Sequence, residues 1–130
     1  MSSMRRNKRT FQYAFRLYLN VDGKRVLGKG GAQILEAINR QGSIAAAANE
    51  LDMSYKFVWD YLTRMSNRLK RPVIVTRRGG TRYGTRKGGG GAKLTPLAQA
   101  LLKNYKATEK LLYATISKTR IRITARSHER

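Results

Sequence analysis

The sequence has no cysteine, one histidine, two prolines and only seven acidic residues in 130. Without cysteine there is no disulfide framework, no thiolate zinc site and no cysteine nucleophile. The single histidine, His128, stands third from the end, a poor place for a preorganised catalytic base. No apolar run approaches the roughly 18 residues that a spanning helix needs. The start, Arg5-Arg-Asn-Lys-Arg9, looks like the head of a signal peptide. However, Arg16 and Asn20 interrupt the apolar stretch behind it, and no small-residue cleavage site follows. These absences leave the commonest enzyme chemistries short of parts and give the expectation of a cytoplasmic chain that is not an enzyme, with no metal or cofactor.

Positive charge is what the chain has in excess: 28 Lys and Arg against 7 Asp and Glu, a net +21. Hydrophobic residues make up 41%, enough for a core, so this is not a disordered polycation. The length suits one domain with tails. The expected division is a basic tail over 1–10, a folded domain over 11–117 and a second basic tail over 118–130. A charge this large calls for a polyanion, nucleic acid first and an anionic membrane surface second.

The order of elements follows from periodicity. Phe11, Tyr13, Phe15, Leu17, Leu19 and Val21 alternate with mostly polar residues, which predicts a strand over 11–21 with one buried face. Asp22-Gly23 suits a two-residue hairpin turn, with a short return strand over 24–27 that the glycines of 28–31 break. A helix over about 32–40 carries Ile34, Leu35 and Ile38 on one side and ends at Gly42. Ser43 caps a short helix over 44–51, Asp52-Met53 makes a tight link, and Ser54 caps a third helix to about Leu69. That helix has a stripe of Val58, Leu62, Met65 and Leu69, and Trp59 is expected to pack against the first helix.

Strands at 73–76 and 92–94 flank a loop, 79–91, that holds seven glycines. Thr95-Pro96 opens a long last helix with a stripe of Leu97, Leu101, Tyr105, Thr108 and Leu112. Two short helices, a tight turn, a longer helix and a glycine-tipped hairpin describe a winged helix-turn-helix: mainly α with small β, an N-terminal β-hairpin and a long C-terminal helix. One near-motif, Gly23-Lys-Arg-Val-Leu-Gly28-Lys29-Gly30, resembles a phosphate-binding loop. It lacks the Ser/Thr that magnesium requires, because Gly30 stands there.

Gly42-Ser-Ile44, Ala46-Ala-Ala48, Leu51-Asp-Met-Ser-Tyr55 and Trp59, followed by Gly88-Gly-Gly-Gly-Ala92 and Leu94-Thr95-Pro96, carry a more specific resemblance. Over about 26–110 the chain resembles the N-terminal DNA-binding domain of the ModE family of molybdate-dependent transcription regulators. The resemblance implies a winged-helix homodimer on operator DNA. Family members bind molybdate through separate C-terminal domains, and 105–130 is too short to hold one, so no small-molecule effector is expected. The loop at 81–87 is longer and more basic than the family's pattern.

The expected DNA contacts follow. Ser54, Tyr55 and Lys56 open the third helix, the part of a recognition helix that enters the major groove. Arg77, Arg78, Arg82, Tyr83, Arg86 and Lys87 lie on or beside the glycine loop, where they read as a flexible wing for phosphates or the minor groove. Ser43, Arg64 and Lys93 complete the set. Between Tyr61 and Thr108 there are twelve Lys or Arg and no acid, the pattern of a continuous contact surface. The tails read equally as solubilising ends or DNA-embracing arms. The expected partners are double-stranded DNA and a second copy of the chain, held by the last helix and the N-terminal strand, with no membrane. A transcription regulator leads; an abundant architectural nucleoid protein of low specificity is the alternative, and RNA binding comes third.

Overall fold

Three hydroxyls set where three of the four helices among the described residues begin. The computed structural model describes residues 9–77, 90–119 and 121. In it Ser43 Oγ accepts from the Ala46 N–H at 3.0 Å, Ser54 Oγ from Phe57 at 3.0 Å, and Thr95 Oγ1 from Ala98 at 3.2 Å. Each hydroxyl satisfies one of the amides that a helix start leaves without an internal partner. The helices they cap are α2 (Ile44–Glu50), α3 (Tyr55–Leu69) and α4 (Pro96–Ser117). The first helix, α1 (Lys29–Gln41), starts at Gly28 without a side-chain cap and ends at Gly42, whose left-handed φ of 73° lets its N–H reach Ile38 O at 2.8 Å.

The turn from α2 to α3 is as tight as expected. Asp52 sits at φ 58°, and the Met53 N–H returns to Ala48 O at 2.9 Å. Two antiparallel pairs complete the fold, β1 (Leu19–Val21) with β2 (Lys24–Leu27) and β3 (Ile74–Arg77) with β4 (Gly91–Leu94). Asp22 and Gly23 both have positive φ, the requirement of a two-residue hairpin turn. This is a winged helix-turn-helix, mainly α with small β.

The core lies where α1, α2 and α3 meet under β2 and the wing. Leu27, Ile34, Leu35, Ile38, Val58 and Val73 are fully buried, with Leu62 and Met65 nearly so. Burying such a side chain contributes about 1.5–3 kcal/mol, so truncating Leu35 to Ala would cost about 2–5 kcal/mol. Hydrogen bonds donated by backbone N–H groups hold the wing in place. The Ala92 N–H donates to Gly42 O at 2.8 Å, the Val73 N–H to Ser66 Oγ at 3.1 Å, and the Thr95 N–H to Val73 O at 3.0 Å.

Three sequence expectations are corrected. The first strand pairs only over Leu19–Val21, because β2 ends at Leu27 and α1 begins at Lys29, leaving 11–18 no ladder partner. Its alternation survives as burial only from Phe15 on, with Phe15 and Leu17 half-buried and Arg16 and Tyr18 exposed, while Phe11 and Tyr13 are exposed. Here the segment runs beside α4, where the Tyr105 hydroxyl donates to Leu17 O at 2.9 Å and the Phe15 ring lies 4.8 Å from that of Tyr113. Second, Gly30 and Gly31 do not break the chain; they belong to the first turn of α1. Third, α4 buries Ala98, Leu102 and Tyr105; Leu97 and Leu101 flank them half-buried, and Thr108 is exposed. The tails fall mostly outside the described residues.

Candidate nucleic-acid interface

The outward face of α3 is set by its inward one. With Val58, Leu62 and Met65 buried, helical geometry turns Lys56, Asp60, Thr63 and Asn67 to the opposite side, and all four are exposed. Ser54, itself exposed, caps the start of the helix. Lys56, predicted to reach a base or phosphate, donates from Nζ to Asp60 Oδ2 at 2.8 Å one turn on. That hydrogen bond first, and the carboxylate's charge second, hold the Lys56 ammonium above the ordinary lysine range. Both side chains are well exposed, so the pair adds little stability. It does make the centre of this face electrically neutral.

One flank of α3 meets the wing base. Ser43, Tyr55, Trp59, Thr76, Arg77 and Gly91 line an open cleft of about 630 Å³. Trp59 is the main correction in the site. It does not pack against α1; its indole is 43% exposed, with the Tyr55 ring 6.4 Å away. The sequence held the signal for this. Trp59 follows Val58 and so stands about 100° round the helix from that stripe residue, four residues after Tyr55 on the same side. Phe57 is also exposed, so α3 presents three large aromatics to solvent near its start. Arg77 lies against Gly91, its guanidinium carbon 3.8 Å from where a Cβ would stand.

Of the predicted set, Ser43, Tyr55 and Arg77 therefore share one cleft, with Ser54 and Lys56 beside it on the same helix start. Lys93 is exposed on β4 opposite Val75, on the wing's outer face. Arg64 is not in this group. It lies about 140° round α3 from Trp59, its guanidinium 5.3 Å from the centre of the Tyr61 ring. Arg78, Arg82, Tyr83, Arg86 and Lys87 lie outside the described residues. Sequence reasoning missed Asp60 and placed Trp59 inside. Among the described residues no group of His, Cys, Asp and Glu could hold a metal ion, and no helix is long and apolar enough to cross a membrane.

A capped helix with an exposed N-terminal half, set behind a short helix and beside a two-stranded wing, defines a winged helix-turn-helix nucleic-acid-binding domain. Residues 31–99, more than half the chain, match the family described as bacterial regulatory helix-turn-helix protein, lysR family. The chain belongs to that family. It is also 43% identical over 83 residues to the molybdenum-pterin-binding protein MopB of Rhodobacter capsulatus, covering 64% of this chain and 28% of that one. The molybdenum transport protein ModE of Azotobacter vinelandii is 34% identical over 98 residues, 75% of this chain and 34% of its own. The transcriptional regulator ModE of Haemophilus influenzae is 37% identical over 92 residues, 71% of this chain and 31% of its own. The likeness to ModE proteins read from the residues thus holds, while the chain spans no more than 34% of any of these three.

Proposed function

We propose that this chain binds double-stranded DNA as a transcription regulator of ModE type, as a homodimer and without enzymatic activity. The observation that carries the reading is the exposed start of α3, with Ser54, Tyr55, Lys56 and Trp59 held beside the wing base. The family match and the net +21 support the same partner. The expected contacts are Tyr55, Lys56 and Trp59 in the major groove, with Ser43, Ser54, Arg77 and Lys93 on flanking phosphates. The wing residues Arg78, Arg82, Tyr83, Arg86 and Lys87 belong to the same proposal on sequence grounds alone. So does a place in the cytoplasm, on the chromosome.

The dimer is supported by apolar surface at one end of the fold. Phe11, Tyr13, Leu111 and Tyr113 are 53–67% exposed, on the N-terminal segment and the distal half of α4. Two copies joined there would set their recognition helices about one DNA turn apart, roughly 34 Å. Light scattering that finds a monomer at micromolar concentration, with and without DNA, would remove the dimer from the proposal.

Trp59 is the only tryptophan, so the function can be tested at the site itself. Titration with a duplex selected from a random pool is expected to change its emission saturably, in step with anisotropy of the labelled DNA. A regulator requires the selected duplex to bind at least about a thousandfold more tightly than a scrambled one. Equal affinity for both would sink the regulator reading in favour of an architectural coat, and DNA binding with silent Trp59 emission would remove α3 from the interface.

A further inference from the structure

The flank of α3 facing away from the wing carries a second arrangement of cations. Arg25, on β2, stacks its guanidinium carbon 3.5 Å from the centre of the Tyr18 ring. Arg64 lies over Tyr61, and Arg68 donates from Nη1 to Arg25 O at 2.6 Å, tying α3 to the hairpin. None of the three is in an ion pair among the described residues, although Glu109 lines the same cleft as Arg25 and Tyr18.

Each tyrosine is seated on a glycine. A Cβ on Gly28 would meet the Tyr18 ring at 2.9 Å, and one on Gly31 would meet the Tyr61 hydroxyl at 2.8 Å. Both glycines are buried. Each ring is thus held between backbone on the inside and a guanidinium on the outside, which accounts for glycine at the N-cap of α1 and, at Gly31, in a first turn that it otherwise weakens. An arginine stacked on a fixed ring has lost much of its conformational freedom already, yet keeps its in-plane N–H groups for an anion. Two guanidinium groups preorganised in this way, with Arg68 fixed beside them by its bond to the Arg25 carbonyl and none of the three paired to a carboxylate, suit phosphates better than a solvated face does.

We infer that Arg25, Arg64 and Arg68 bind the phosphodiester backbone of duplex DNA on the side of the recognition helix away from the wing, making the β1–β2 hairpin a second clamp. The inference rests on the DNA-binding reading. Geometry supplies the reach. Arg68 lies about 18 Å along α3 from Lys56, at 1.5 Å per residue. The major groove is about 12 Å wide. With Lys56 over the groove, Arg64 and Arg68 fall on the groove's bordering strand, and Arg25 extends the contact outward.

The test measures the salt dependence of binding to a mixed-sequence duplex of about three helical turns, using the full chain. Arg25→Gln with Arg64→Gln leaves Arg68 and its bond to the Arg25 carbonyl in place. The log–log salt slope is expected to fall by up to about 1.8 per bound protomer, from 0.9 per phosphate contact. The charge-retaining pair, Arg25→Lys with Arg64→Lys, is expected to recover the slope but only part of the affinity, because lysine does not stack on the rings in the same way. An unchanged slope and affinity in the Gln pair overturns the clamp while leaving DNA binding intact. A Lys pair that folds yet stays as weak and as shallow in slope as the Gln pair overturns it too, since the arginines would then be packing groups. A wild-type chain that binds no duplex fails the DNA reading itself, a result distinct from either.

Discussion

Thr95 offers the sharpest test of how the wing is held. It is 9% exposed, and its single hydroxyl is used twice: Oγ1 accepts from the Ala98 N–H as the cap of α4 and donates to Pro72 O at 2.9 Å. The first bond starts the long helix; the second fixes Pro72, two residues ahead of β3. Thr95→Val keeps the volume and removes both. Loss of the cap costs about 1 kcal/mol, and loss of the bond to the carbonyl about another 1 kcal/mol. The expected destabilisation is therefore about 2 kcal/mol, a fall in Tm on the order of 10 °C. Thr95→Ser keeps both bonds and gives up one methyl group, about 0.8 kcal/mol. Urea unfolding followed by far-UV circular dichroism reads the comparison directly. If the valine variant proves as stable as the serine variant, the hydroxyl is not the fastening, and the wing is held by packing and by the bonds of Ala92 and Val73 to the core.

Three further outcomes are expected. Lys70 ends α3 in the left-handed region at φ 60°, so Lys70→Gly is expected to stabilise by roughly 0.5–1 kcal/mol, and an urea midpoint below wild type would refute that. Burial, then the charge of Glu109, hold the Tyr105 hydroxyl above the ordinary tyrosine range, so the folded state keeps this proton to higher pH than the unfolded chain. That contribution is whole below about pH 10 and is lost as pH rises through the folded value; Tyr105→Phe should lose the bond to Leu17 O at neutral pH but show less alkaline loss than wild type, and a constant gap between the two would count against it. Asp60→Asn frees Lys56, so binding to scrambled duplex should tighten and its salt slope steepen by up to about 0.9 per bound protomer; no change in either means that Lys56 meets no phosphate.

The caps and the helical stripes were readable because they depend on near neighbours in the chain. Ser43 and Ser54 each stand just ahead of an apolar period and cap as expected, and Thr95, read only as the opening of the last helix, caps in the same way. What failed depended on which element approaches which. The run from Gly28 to Gly31 reads locally as a breaker, yet it lies at the start of α1 because Tyr18 and Tyr61 need the space a side chain would fill. The alternation over 11–21 makes a ladder only over Leu19–Val21; at Phe15 and Leu17 it records a side resting near α4, which no local pattern could show. Trp59 is a large apolar residue next to a core position, and size alone suggested burial; its angle on the helix argued otherwise. Arg25 and Arg68 could not be found from spacing, because their meeting depends on the hairpin packing against α3.

The placement of charge bears on specificity. Cations on a recognition face attract every sequence alike, whereas discrimination depends on the difference between right and wrong partners. In this chain the outward face of α3 is close to neutral, Lys56 being matched by Asp60, while Arg77 stands on one flank and Arg25, Arg64 and Arg68 on the other. The flanks can then supply affinity through phosphates and fix the register of the helix, and the centre is left to the aromatic rings and the polar side chains of the start of α3. Tyr55 and Trp59 offer apolar surface suited to the thymine methyl group, and Asp60 opposes close approach to a phosphate wherever the register is wrong. A protein built only to coat DNA gains nothing from a carboxylate in the middle of its binding helix. One built to prefer certain sequences does, because that carboxylate weakens nonspecific binding more than it weakens the matched complex.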